Sequence, residues 1–152
     1  MIAADIVQAA PEADVFVNLK ETDLVSAVQQ ATGGKGVDMV LDTVGADLFN
    51  RCLRTLRVGG RQIAIANVAG PDSEVHLNLT DFFHRQLRLI GLNILNLTGS
   101  EIAGIMNSLR EGFQAGFLRV SQLETNPFEK AIEAYTKIAE RKTRTKQVLV
   151  FG

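Results

Sequence analysis

The spacing of hydrophobic positions changes along this chain, and the changes mark its elements. Val37 to Asp42 is mostly apolar rather than alternating, as expected of a strand covered on both faces. Arg61 to Ala66 is a second strand. Between them a helix begins near Asp47, with Leu48, Phe49, Cys52, Leu53 and Leu56 at helical spacing. Gly59 and Gly60 supply its stop and the turn into the next strand. Each strand ends in a small-residue loop: Thr43, Val44 and Gly45 after the first, Asn67, Val68, Ala69 and Gly70 after the second. Open α/β sheets bind ligands at such carboxyl ends. The pattern therefore points to a nucleotide-binding sheet.

The remaining periodicity fills in the neighbours. Residues 1–10 are Ala-rich and read as the tail of a helix that Pro11 ends. Val15 to Val17 is a short strand. Thr22 or Asp23 caps a helix through about Ala31, with Leu24, Val25 and Val28 on one face, closed by Gly33, Gly34 and Gly36. A polar loop holds Pro71, Asp72 and Ser73. Thr80 or Asp81 caps a short helix carrying Phe82 and Phe83. Residues 87–95 form a strand with partial alternation. Ser100 begins a helix through about Phe113, with Ile102, Ile105, Met106 and Leu109 facing inward. Residues 117–123 are extended, Pro127 sits in the first turn of a helix to about Arg141, and Gln147 to Phe151 is a last strand. Strands alternating with helices predict an α/β fold with a parallel sheet and right-handed crossovers. The domain reading is 1–116, with 117–152 as an appended segment.

Composition narrows the class. The 152 residues are 46% hydrophobic and 22% charged, enough for one domain with a real core. The formal net charge of -1 argues against a nucleic-acid or anionic-membrane partner held by bulk charge. No apolar stretch is long enough to span a bilayer. A single cysteine cannot form an internal disulfide, and no signal peptide is evident, so the expected location is cytoplasmic.

The ordered series Gly33-Gly34-Lys35-Gly36-Val37-Asp38, Asp42-Thr43-Val44-Gly45 and Leu56-Arg57-Val58-Gly59-Gly60-Arg61 resembles the medium-chain dehydrogenase/reductase superfamily. The branch it resembles is that of the zinc-independent quinone oxidoreductases and related enoyl reductases. The likeness continues through Leu89 to Asn93, Ala131 to Tyr135 and Lys146 to Val150. It implies a partial Rossmann-like parallel sheet with helices on both faces, lacking the first strand and the glycine-rich loop. It also leaves the second strand, with its ribose-reading residue, and the catalytic domain without counterparts. The series Gly33, Gly34, Gly36 follows a helix and leads into a strand, the reverse of a phosphate loop.

The resemblance implies NADP or NAD as cofactor. Asp42, Thr43, Val44 and Gly45 would border its adenine end, and Asn67, Val68, Ala69 and Gly70 the nicotinamide and its ribose. Gly91, Leu92 and Asn93 would contact the carboxamide. Lys146 matches a lysine near the phosphates, although Thr145 replaces the glycine usual before it. No residue is assigned a catalytic role. The resemblance also implies a homodimer through the edge strand 87–95, and the missing catalytic domain as natural partner.

Plainer readings stand beside these. Asp42 could simply cap the following turn, Gly45 could serve turn geometry alone, and Asn93 could be an ordinary edge residue. Cys52 sits on an apolar helix face and reads as core. His76 and His84 lack partners at zinc-ligand spacing, and no Ser-His-Asp arrangement has supporting context. The basic run Arg141, Lys142, Arg144, Lys146 is either a solvated helix end or a phosphate contact. Two functions follow: the cofactor-domain portion of an oxidoreductase acting on a quinone, enone or enoyl substrate and inactive alone, or a non-catalytic dimerisation module.

Overall fold

The computed structural model describes residues 1–7, 12–70, 74–120, 123–140, 142–143 and 145–151. Pro11, the Pro71 to Ser73 loop, Arg141 and Arg144 lie outside them. The chain divides into two compact units, Met1–Asn96 and Leu97–Gly152.

In the first unit, β1 (Ile2–Asp5) pairs in parallel with β2 (Val15–Asn18). A second sheet runs β3 (Val37–Asp42), β4 (Leu56–Ala64), β5 (Arg88–Gly91), all parallel. The helices are α1 (Leu24–Ala31), α2 (Ala46–Thr55) and α3 (Leu79–His84). Asp23 caps α1 by accepting from Ser26 N at 3.0 Å, which satisfies a donor the first turn leaves unpaired. Arg85 closes the other end of α2, donating to Leu53 O at 3.4 Å and to Leu56 O. The core has two lobes. Phe49, Leu53, Leu56 and Leu87 form one, and Leu24, Val28 and Cys52 the other; Val37 and Val40 pack against both.

Several sequence expectations are corrected here. Residues 2–5 are a strand, not the end of a helix: the Ile-Ala-Ala run carries no helical period, and pairing with β2 decides its state. Gly59 and Gly60 do not separate helix from strand. β4 already starts at Leu56, and the glycines absorb a shift in its register between Val37↔Leu56 and Met39↔Arg61. Gly59 adopts φ +75°, and a Cβ on Gly60 would stand 2.9 Å from Arg57 O. Asn78, rather than Thr80 or Asp81, caps α3, accepting from Asp81 N at 3.0 Å. The strand expected over 87–95 is only Arg88–Gly91. Asn93 then turns the chain by accepting from Leu95 N at 3.0 Å, and Ile94–Asn96 form a 3₁₀ turn.

In the second unit, α4 (Gly99–Gln114) precedes β6 (Leu123–Pro127), α5 (Ala131–Ala139) and β7 (Lys146–Val150). β6 and β7 pair in parallel from Leu123↔Lys146 to Pro127↔Val150. α4 starts at Gly99, one residue before Ser100, because Thr98 and Glu101 form a capping box. Pro127 ends a strand instead of opening a helix, and a short 3₁₀ turn, Phe128–Lys130, leads into α5. Ile102, Ile105, Met106 and Leu109 do not turn inward: all are at least 40% exposed. The polar side of this sheet is better tied. Glu124 accepts from Gln147 Nε2 at 2.9 Å, Thr145 Oγ1 at 3.0 Å and Lys137 Nζ at 3.2 Å, and these contacts lower its carboxyl below the usual range.

Candidate functional site

The ends of β3, β4 and β5 lie level. Asp42 is opposite Ala64, and Ala64 opposite Gly91. Two more bonds carry the ladder past the strands: Ile65 N donates to Asp42 O and Leu92 N to Ala64 O, both at 3.0 Å. Val68 N then donates to Val44 O at 2.9 Å, which stitches the loop after β4 to the loop after β3. The expected segments 42–45, 67–70 and 91–93 are therefore side by side along one rim of the sheet. Thr43, Val44, Val68, Ala69, Leu92 and Asn93 are exposed there.

Gly45 makes the joint possible. Its φ is +67°, and a Cβ would stand 2.8 Å from Ala66 O and 3.0 Å from Asn67 Cα. Only glycine meets both demands. Asn67 shapes its own loop, with Nδ2 donating to Gly70 O at 3.2 Å and Oδ1 accepting from Ala69 N at 3.3 Å.

Asp42 works from beneath. It is 2% exposed, and its Oδ1 accepts from Val44 N at 3.0 Å and Gly45 N at 2.8 Å. Its Oδ2 accepts from Gln62 Nε2 at 2.9 Å. The carboxylate thus fixes the loop as a buried cap, and its influence on the rim passes through the backbone of Val44 and Gly45. Gln62 is fully buried, and its Oε1 has no hydrogen-bond partner. Sequence reading passed over Gln62; its signal was an amide directly before the apolar run Ile63 to Ala66.

Asp5 was also missed. It ends β1 and accepts from Ile6 N at 2.6 Å. Lys146 opens β7 in the second unit and is exposed.

Two large cavities exist in the first unit. One, of about 900 Å³, is lined by Lys35, Arg54, Arg57 and His76 among others and includes none of the expected site residues. The other, of about 800 Å³, reaches Asp42, Thr43 and Val44. Chemistry, rather than size, makes the second the relevant one.

Cys52 is 5% exposed, and burial together with the Asp42 carboxylate pushes its thiol up to about 12. It is no nucleophile at neutral pH. Among the described residues no three His, Cys, Asp or Glu side chains gather in metal-ligand geometry. The described residues do not fit a zinc centre. None of the described helices is long and apolar enough to cross a membrane.

A family profile described as "Zinc-binding dehydrogenase" matches residues 12–149. The quinone oxidoreductase of Rattus norvegicus is 26% identical over 125 residues, covering 82% of this chain and 36% of that protein. Quinone oxidoreductase 1 of Escherichia coli (strain K12) is 28% identical over 137 residues, covering 88% of this chain and 42% of that protein. A crystal structure of Escherichia coli quinone oxidoreductase complexed with NADPH superposes with a TM-score of 0.75 at 25% identity, over 98% of this chain and 48% of that one. The chain thus spans less than half the length of each protein it matches here.

Proposed function

The chain belongs to the zinc-binding dehydrogenase family, in the zinc-independent, quinone oxidoreductase-like branch of the medium-chain dehydrogenases/reductases, and from that premise we propose that it is the cofactor-domain portion of an NAD(P)H-dependent oxidoreductase. The substrate class is a quinone, enone or enoyl compound. The observation that carries this reading is the stitched rim: three parallel strand ends level with one another, joined by Val68 N to Val44 O, with glycine where the loops touch.

A dinucleotide laid along that rim would meet Thr43 to Gly45 at its adenine end, Asn67 to Gly70 at the nicotinamide ribose, and Gly91 to Asn93 at the carboxamide. The bound nicotinamide supplies the hydride. The chain's own groups orient it, mostly through backbone N–H and C=O groups, and Asp42 holds the loop that does so. Asp5 stands ready for ribose hydroxyls, and Lys146 for a phosphate. Residues 117–152 form the return segment, and the compartment is the cytoplasm.

The 152-residue chain alone is expected to give no turnover of a soluble quinone with NADPH or NADH, because no described side chain on the rim is a proton donor placed for it. Calorimetric titration is expected to give a saturable heat with one of the two cofactors. Measurable turnover would overturn the reading as a portion of an enzyme, and no heat with either cofactor would overturn the cofactor site.

A second reading has its own observation. β5 is paired only on its β4 side, and Leu89, Ile90 and Leu92 are 42%, 42% and 49% exposed. An uncovered edge of this kind attracts another strand, and a two-fold axis would pair β5 with β5. Light scattering at high protein concentration would then report a dimer; a monomer would dismiss it.

A further inference from the structure

We propose that Gln62 is a positioning residue for the cofactor rim: acting through Asp42, its buried amide sets the joint placement of the loops after β3 and β4. This role rests on the cofactor site proposed above and names what holds that site in shape. Gln62 does not line the cavity of about 800 Å³ that reaches Asp42, Thr43 and Val44. Among the described residues, the one hydrogen bond of its side chain goes to Asp42 Oδ2. Its effect on the loops must therefore pass through that carboxylate.

Strand register brings the pair together. Asp42 lies opposite Ala64, and Gln62 precedes Ala64 by two residues, so both side chains share one face of the sheet. Diagonal neighbours of this kind stand about 7–8 Å apart, a gap that a side chain of glutamine length crosses. The bond is 2.9 Å long and joins a fully buried residue to one that is 2% exposed. A carboxylate turns easily about its last torsion. Holding Oδ2 fixes that turn and aims Oδ1 at Val44 N and Gly45 N, 3.0 and 2.8 Å away. Val44 O in turn accepts from Val68 N at 2.9 Å. One series of hydrogen bonds thus runs from the interior of β4, through the end of β3, to both loops.

Stability alone does not account for an amide in this place. Gln62 is the register partner of Val40, which packs against both core lobes. Its Oε1 is buried with no hydrogen-bond partner. Burying an unpaired carbonyl oxygen is unfavourable, and an apolar side chain of the same length avoids it. What the amide supplies, and an apolar chain cannot, is the donor to Asp42. A neutral donor suits the task, because it orients the carboxylate without neutralising the charge that strengthens the two loop bonds.

The test uses the whole 152-residue chain. Gln62→Met keeps the length and removes both the donor and the unpaired oxygen. The thermal midpoint should stay within a few degrees, because one unpaired buried group replaces another. Amide exchange at Val44, Gly45 and Val68 should quicken by about tenfold, and the dissociation constant for NADPH or NADH, read from amide shifts, should rise by about as much. Gln62→Asn keeps the amide but is too short to reach Asp42, and should match Gln62→Met. Asp42→Asn tests the other partner. The Gln62 amide can turn so that Oε1 accepts from the new Nδ2, so loosening should stay under about threefold, and reach about tenfold once Gln62→Met is added. Unchanged exchange at Val44 and Gly45 in Gln62→Met, or in Gln62→Asn should the first variant not fold, would overturn the proposal. So would faster exchange with an unchanged dissociation constant. Absence of saturable shifts in the unsubstituted chain overturns the cofactor site instead, and the exchange of the loop amides still decides whether Gln62 positions them.

Discussion

The two units of this chain are held together by different physics. Met1–Asn96 buries Val17, Leu24, Val28, Phe49, Cys52, Leu53, Leu56 and Leu87, all below 9% exposure. In Leu97–Gly152 the only described apolar side chain so buried is Ala134, while Ile105, Met106, Phe117, Ile132 and Tyr135 stay exposed. The second unit relies on a capping box, a parallel strand pair and the polar contacts around Glu124. Exposed hydrogen bonds and ion pairs contribute little net stability, whereas each buried large apolar side chain contributes about 1.5–3 kcal/mol. The comparison teaches that the first unit has a packed apolar core of its own, while the second, among its described residues, leaves its large apolar side chains exposed. It also explains why the candidate site lies in the first unit: a rim that must hold loops to a few tenths of an ångström needs a packed base.

The largest expected effect separates the units directly. Leu53→Ala should destabilise the first unit by about 3 kcal/mol, and Ile105→Ala in α4 should cost less than about 0.5 kcal/mol. Amide exchange read separately over α2 and α4 checks both numbers, and equal costs would break the comparison. Next comes Asp42→Ala. It leaves the N–H groups of Val44 and Gly45 and the amide of Gln62 unpaired, two of these groups being buried, at a cost of about 2 kcal/mol or more. The loop amides should lose protection before the strands do.

Gly45→Ala should cost about 1–2 kcal/mol, from the positive φ and the contact with Ala66 O together. Its sharper signature is a change in the chemical shift of Val68 N–H, because that bond to Val44 O joins the two loops. The smallest effect is a slope. Cys52 stays a thiol in the folded chain up to about 12, against an ordinary value of 9.0. Above that ordinary value the unfolded chain releases its proton while the folded chain retains it, so stability falls as pH rises through this window. The slope is about 1.4 kcal/mol per pH unit, and none of it arises below the window. Comparing the chain with Cys52→Ala between pH 8 and 10.5 isolates it, since other titrating groups cancel in the difference.

Much of the first unit was legible in the sequence, for identifiable reasons. The apolar run at 37–42 and the helical spacing from Leu48 to Leu53 each have one period and one solution, so β3 and the body of α2 were read correctly, while Leu56 belongs to β4. The resemblance then put the small-residue loops on the rim where the register places them. Other features were set by pairing, which sequence does not display. Ile2 to Asp5 is strand because β2 lies beside it, and Gly59 and Gly60 sit inside β4 because its register must shift. Asn93 shortens β5 through its own side chain. The burial of Asp42 and its bond to Gln62 join residues twenty positions apart, and no local pattern announces such a pair. The inward face expected for α4 failed for a different reason: amphipathic spacing says that a face seeks cover, and says nothing about what covers it.

The central claim is that the ends of β3, β4 and β5 form one cofactor rim. The most direct test is a titration of the isotope-labelled 152-residue chain with NADPH and then NADH, followed by amide chemical shifts. The account predicts saturable shifts concentrated in Thr43 to Gly45, Asn67 to Gly70 and Gly91 to Asn93, with a dissociation constant on the order of millimolar because the phosphate loop is not among these segments. Shifts that do not saturate, or that fall instead around Lys35, Arg54 and His76 in the larger cavity, would contradict it.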